Sequence, residues 1–139
     1  MMIGRLASAS SRYVEIDDLL TAASKVIQEA TGAEAGIITC GAAGGLTLAA
    51  AACMAGNDPD IMDRLPDVSG CARNEIIYPL PGPFDYDHAI RMSGAKTIFV
   101  DYRAPDALAQ IASQITPRTA AIGFVWMGVV EQPGFDELV

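Results

Sequence analysis

Cations, histidine, cysteine and aromatic residues are all scarce in this 139-residue chain, and each shortage excludes something. Nine Lys and Arg stand against seventeen Asp and Glu, a formal charge of −8 with a pI near 4.4. That balance argues against nucleic acid and against anionic membrane surfaces as partners. Three cysteines, Cys40, Cys53 and Cys71, make an odd number with no metal-ligand spacing, so no disulfide framework and no metal site are expected. A reduced, cytoplasmic setting is the simplest one for them. The first residues, Met1-Met2-Ile3-Gly4-Arg5, lack the apolar core of a signal peptide. No repeat or low-complexity segment stands out. Hydrophobic residues are plentiful at 51%, enough for one domain with a real core.

The chain is organised around Ala35 to Gly56, AGIITCGAAGGLTLAAAACMAG, which contains no charged residue. Gly36-Ile37-Ile38-Thr39 has the β-branched composition of a buried strand. Leu46 to Met54, rich in alanine and leucine, has that of a packed helix. Between them Cys40 to Gly45 supplies only small side chains. A turn of this kind aims the free N–H groups of a helix's first turn outward, with the positive end of the helix dipole behind them. That is the chemistry of a phosphate cradle, and small residues let an anion approach the main chain. Tight strand–helix packing alone accounts for the same composition. The run also approaches the about 20 apolar residues of a membrane span, but alanine and glycine insert poorly and no aromatic belt or basic cluster flanks it. Neither a Walker A pattern nor G-x-G-x-x-G is present.

Around this stretch the pattern predicts a helix from Ile16 to Thr31, capped by Asp17 or Asp18 and ended by Gly32 in a left-handed turn. Its apolar face is Leu19, Leu20, Ala23, Val26, Ile27 and Ala30, with Lys25 solvated near the opposite side. After the central helix, Asn57-Asp58-Pro59-Asp60 starts a short helix that stops before Pro66, and Asp67 to Asn74 is a loop. Strands are expected at Glu75–Tyr78, Lys96–Val100 and Ala120–Trp126. Helices are expected from Asp85 to Met92, ending at Gly94, and over Asp106–Ser113. A further helix is expected to begin in the tail from Gln132. Pro79, Pro81 and Pro83 stiffen the loop after Tyr78. Helices alternating with short apolar strands indicate an α/β fold, three layers α/β/α around a mainly parallel sheet. Ligands in such sheets sit beyond the carboxyl ends of the strands. The Cys40–Gly45 turn and the Pro79–Phe84 loop, each following a strand, would open on that edge.

The segments TGAEAGIITCGAAGGLTLAAAACMAGNDP, RLPD, NEII and YDHAIRMSGAK, in this order and spacing, resemble the selenocysteine synthase-like group of pyridoxal-phosphate (PLP) enzymes. That group includes L-seryl-tRNA selenium transferase and related amino-sugar-acid ammonia lyases. The resemblance runs from about Ser10 to Thr119 and implies the aspartate-aminotransferase type of fold, in which two subunits usually share each active site. It implies one partial PLP-transferase-like large domain, a helical segment over residues 1–34 and an α/β core over 35–139. It further implies that Thr39, Cys40, Gly41, Ala42 and Ala43 match the family's T-S-G-A-A loop, which holds the cofactor phosphate through main-chain N–H groups. Cys40 stands where the family has serine, either as a reactive thiol at a helix N-terminus or as a small buried residue. His88, or Tyr86 beside it, lies in the matching segment and would sit near the cofactor or a subunit contact. A local helix hydrogen bond is the other reading of His88. Phe84 would stack on the cofactor ring. Arg64, Arg73 and Arg91 would meet a substrate phosphate or carboxylate, or lie on the surface.

The family's Schiff-base lysine has no counterpart here. Only Lys25 and Lys96 occur, and neither matches its position, so no catalytic residue is assigned. The functional expectation is PLP-dependent lyase or transferase chemistry on an amino acid or amino-sugar acid. In that reading the chain is a truncated or split representative, working as a homo-oligomer or with a complementing chain. The acidic charge favours the small-molecule branch over the tRNA-modifying one. The alternatives are a non-catalytic module that binds a phosphate or a partner, and a gene remnant.

Overall fold

The computed structural model describes residues 8 and 11–125. The expectations for Met1–Arg5, for Trp126 and for the tail from Gln132 lie outside these residues. The chain divides into two compact units, Met1–Thr39 and Cys40–Val139.

The first unit carries helix α1, Ile16–Thr31, with the predicted bounds. Gly32 ends it at φ 76°, the left-handed stop expected there. The cap differs from expectation. Glu15 occupies the N-cap position without a side-chain bond. Asp17 and Asp18 lie inside the first turn, where their charge suits the helix dipole instead. No strand forms at Gly36–Thr39, contrary to the composition of that run. A strand exists only through its ladder, and here the Gly36 N–H donates to Ser24 Oγ of α1 at 3.0 Å. The same glycine lies so close to α1 that a Cβ on it would stand 2.7 Å from Ile27 Cβ. Ile37 and Ile38 remain exposed.

The second unit opens with α2, Ala42–Ala55, so Ala35–Gly56 is a turn and a 14-residue helix. Among the described residues no helix is long and apolar enough to cross a membrane. Asp58 caps α3, Pro59–Arg64, accepting from the Asp60 and Ile61 N–H groups, a cap that stabilises by about 1 kcal/mol. Then follow β1 (Glu75–Tyr78), α4 (Asp87–Arg91), β2 (Lys96–Phe99), α5 (Ala107–Gln114) and β3 (Thr119–Ile122). The three strands form one parallel sheet in the order β2-β1-β3. β1 is central and buried along its whole length, its apolar residues Ile76, Ile77 and Tyr78 facing both layers and Glu75 paired at its amino end. The register slips between Glu75 and Ile76 opposite β3, and the Asn74 and Glu75 N–H groups both reach the Arg118 carbonyl at 3.0 Å.

Alternation along β1 separates two apolar layers. Ile76 and Tyr78 pack with Ala50 and Met54 of α2, Ile90 of α4, Leu80 and Ala95. Ile77, fully buried, packs on the other side with Val100 and Ile111 of α5. The α/β/α layering thus follows from residues two apart facing the same way. At the amino end, Glu75 Oε1 accepts from Lys96 Nζ and Arg118 Nε, each at 3.2 Å, tying the three strands together.

Candidate functional site

Five of the expected site residues are consecutive and lie where the two units meet in sequence. Thr39 closes the first unit, half-buried and engaged in an interaction of its own. Cys40, Gly41, Ala42 and Ala43 begin the second, and all four are exposed. The expectation of a buried Cys40 is therefore wrong.

Gly41 is the N-cap of α2, at φ 128° and ψ 177°, a region open in practice only to glycine. Among the described residues no heavy atom lies within 4 Å of where its Cβ would be. The first main-chain bond of the helix runs from the Gly45 N–H to the Gly41 carbonyl at 3.0 Å. By helix geometry the N–H groups of Ala42, Ala43 and Gly44 then have no intrahelical acceptor. Among the described residues no side chain caps this end, and the first turn holds no acidic residue to compete for its positive potential. The result is an exposed row of donors with open space above Gly41, which suits a phosphate in shape and sign. Because no strand precedes Cys40, this turn does not occupy a strand's carboxyl end; the Pro79–Phe84 loop does, after β1.

His88 lies on α4, which packs against α2. It is exposed, and its local bond is made by the main chain, its carbonyl accepting from the Met92 N–H at 2.9 Å. Tyr86 is half-exposed just before it. Phe84 turns away from the role of a cofactor-stacking ring, its centroid 5.2 Å from that of Tyr78 in the apolar layer. Arg91 pairs with Asp87, Nε to Oδ2 at 2.8 Å, and Arg64 Nε donates to the Asp60 carbonyl at 3.1 Å. Arg73 is exposed.

Two features had no signature in the sequence. Asp87 reads as an ordinary first-turn acid, yet it is 3% exposed and its Oδ1 has no hydrogen-bond partner among the described residues. Tyr78 is held neutral to high pH. Burial, with the nearby Asp87 and Cys53 adding to it, pushes its phenol up to about 12.

The described residues hold no group of His, Cys, Asp and Glu arranged for a metal ion. Two depressions flank α3. One, about 530 Å³, is lined by Asp58, Asp60, Asp63 and Arg64, and three carboxylates to one guanidinium repel an anion. The other, about 380 Å³, is walled by Leu48, Ala51, Ala52, Ala55, Met62 and Leu65 and offers a phosphate nothing polar. The head of α2 is the better anion site.

No protein-family model matches the chain. It is 33% identical over 129 residues to a 5'-C-glycyluridine monooxygenase-decarboxylase of Streptomyces sp, covering 89% of this chain and 32% of that protein. It is 33% identical over 123 residues to a D-glucosaminate-6-phosphate ammonia lyase of Salmonella typhimurium, covering 86% of this chain and 33% of the relative. A solved structure of a D-glucosaminate-6-phosphate ammonia-lyase superposes with a TM-score of 0.84 at 30% identity, over 96% of this chain and 38% of that one. The chain thus spans about a third of the length of the curated relatives it matches. The α/β fold is shared with the lyase, and these similarities support the ammonia-lyase side of the resemblance rather than selenocysteine synthase in particular.

Proposed function

We propose that this chain anchors the phosphate of pyridoxal phosphate at the head of α2, as part of a lyase acting on an amino-sugar acid. The observation that carries the reading is the exposed, uncapped first turn behind Gly41, in a chain similar to an amino-sugar-acid phosphate ammonia lyase. When bound, the cofactor supplies an electron sink at a substrate's amino-bearing carbon. The residues present fit its phosphate. Ala42, Ala43 and Gly44 offer main-chain donors, and Gly41 leaves room. His88 lines the same helix pair from α4.

The chain's own amines do not fit the covalent role. Lys96 Nζ is engaged by Glu75 at the amino end of the sheet, and Lys25 is exposed on α1 in the first unit. The amine that holds the cofactor covalently is therefore supplied by polypeptide outside these 139 residues, in the same chain or from a complementing one. The two curated relatives match at the same identity yet carry names of different reactions. The region they share with this chain is then better suited to holding a common group than to choosing the reaction. Exposed Leu19, Leu20, Val26, Ile37 and Ile38 favour a self-associating protein, and the free cysteines favour a reduced, cytoplasmic one.

Thermal unfolding with added ligands tests the proposal. Inorganic phosphate and pyridoxal phosphate should both raise the midpoint, by an amount equivalent to about 2.7 kcal/mol at a hundredfold excess over Kd. Pyridoxal without its phosphate should not, and no absorbance of a lysine adduct should develop. Protection by neither phosphate species refutes the cradle. Phosphate protection without any discrimination for the pyridoxal ring favours a plain phosphate-binding module.

A further inference from the structure

Thr47 sits one turn inside α2, half-buried, with its hydroxyl between two carbonyl groups. Thr47 Oγ1 lies 2.6 Å from the Ala89 carbonyl oxygen of α4 and 3.0 Å from the Ala43 carbonyl oxygen of its own helix. A hydroxyl has one proton to donate. The shorter contact takes it, and the longer is the usual back-contact of threonine to the preceding turn.

The Ala89 carbonyl needs that proton. Ala89 is 1% exposed, so water does not serve it. In a continuing α-helix its acceptor role would be filled by the Ser93 N–H, but that group donates to the Ile90 carbonyl at 3.1 Å instead. The last turn of α4 is tightened, and one carbonyl is left for a donor from elsewhere. Thr47 is that donor. Its partner is firmly placed, since Ala89 and Ile90 are buried and Ile90 packs in the apolar layer with Ile76 and Tyr78. On the α2 side, Leu46 and Ala50 attach the helix to the apolar layer. Apolar packing is non-directional and leaves the rotation of the helix about its axis weakly fixed. The Thr47 bond is directional, and it acts on the turn that begins with Ala43.

We infer that Thr47 is a positioning residue for the anion cradle: through the Ala89 carbonyl it sets the azimuth of the first turn of α2. The direction of the Ala42 and Ala43 N–H groups follows from that azimuth. The inference rests on the reading of the head of α2 as a phosphate cradle, and it adds α4 to that cradle as its support.

Thr47→Val keeps the side-chain shape and removes the donor, whereas Thr47→Ser keeps the donor. Both are titrated with inorganic phosphate calorimetrically, at a temperature where parent and variants are fully folded. Thr47→Val should bind about tenfold more weakly, equivalent to about 1.4 kcal/mol, and Thr47→Ser should bind like the parent. In nitrogen–proton spectra without ligand, the Ala42 and Ala43 amide resonances should move in the valine variant and return in the serine one. A residue with only a structural role would lower the unfolding midpoint and leave the affinity of the folded protein and those two resonances unchanged. That result overturns the inference while the cradle stands. Absence of phosphate binding by the parent protein overturns both. Should Thr47→Val fail to fold, Thr47→Ala, which favours the helix, makes the same comparison.

Discussion

Replacing Gly41 by alanine isolates the backbone contribution of the cradle. At φ 128° and ψ 177° the residue occupies a region where a Cβ costs about 1–3 kcal/mol. Sterics with the described residues add nothing, because none of their heavy atoms lies within 4 Å of the new methyl group. The variant therefore has a local choice. It can keep the turn and carry the strain, or let the residue relax to an ordinary extended conformation and re-aim the donors of Ala42 and Ala43. Relaxation is available because no described residue crowds a Cβ at this position, so the loss should appear more in binding than in stability. The expected outcome is a midpoint lowered by a few degrees, about 3–5 °C per kcal/mol of retained strain for a chain of this size. Phosphate affinity should fall by about tenfold or more, the equivalent of at least about 1.4 kcal/mol. Thermal unfolding followed by circular dichroism reads the first quantity and calorimetric titration with phosphate the second. A Gly41→Ala protein with the parent's midpoint and the parent's affinity would refute the claim that this conformation is both glycine-dependent and part of the cradle.

Gly94 offers the opposite case. It is also left-handed, at φ 92°, but a Cβ there would strike the Pro66 carbonyl oxygen and stand 2.7 Å from Val68 Cγ1. Gly94→Ala should therefore cost about 3 kcal/mol or more, strain and overpacking together; a urea midpoint equal to the parent's would contradict this. Tyr78 should ionise near pH 12, read from near-ultraviolet phenolate absorbance and lost in Tyr78→Phe. Its folded-state value is raised, so the stability it contributes is complete below pH 10 and is lost as the pH rises through about 12. Glu75 behaves in the reverse sense. Desolvation raises its pKa, but hydrogen bonds from Lys96 and Arg118 more than offset that and leave it below its usual 4.5. Its contribution is present above 4.5 and lost as the pH falls through the lowered value. Glu75→Gln should be less stable than the parent at neutral pH, with the difference shrinking in acid; a gap that persists in acid argues against the ion pairs as its cause.

Local signals were legible wherever they were self-contained. Gly32 as a stop, Asp58-Pro59 as a start and Glu75–Tyr78 as a strand depend on their own neighbourhoods, and each stands where the pattern placed it. The run Gly36–Thr39 had the right composition for a strand but no ladder partner, and pairing is not written in composition. Its Gly36 instead serves α1 through Ser24, twelve residues back. The Cys40–Gly45 turn could be read from the chain as the head of a helix because a helix head is local, whereas Thr39 to Ala43 were singled out by the resemblance. Thr47 could not, since its meaning comes from a carbonyl 42 residues away that α4 leaves without an internal donor. Asp87 hid for a related reason: nothing in the sequence says that the first turn of a five-residue helix faces inward.

The two layers on either side of β1 are unequal, and thermal fluctuation should follow the inequality. Among the described residues α2, α4 and the proline loop share the load on one side, whereas on the other the eight-residue α5 meets Ile77 and Val100 through Ile111. Partial opening at the smallest free-energy cost thus lifts α5 and wets the centre of the sheet, with the helix that bears the phosphate loop still seated. Such a molecule begins to melt on the side opposite its candidate ligand, and breathing there leaves the geometry of binding intact.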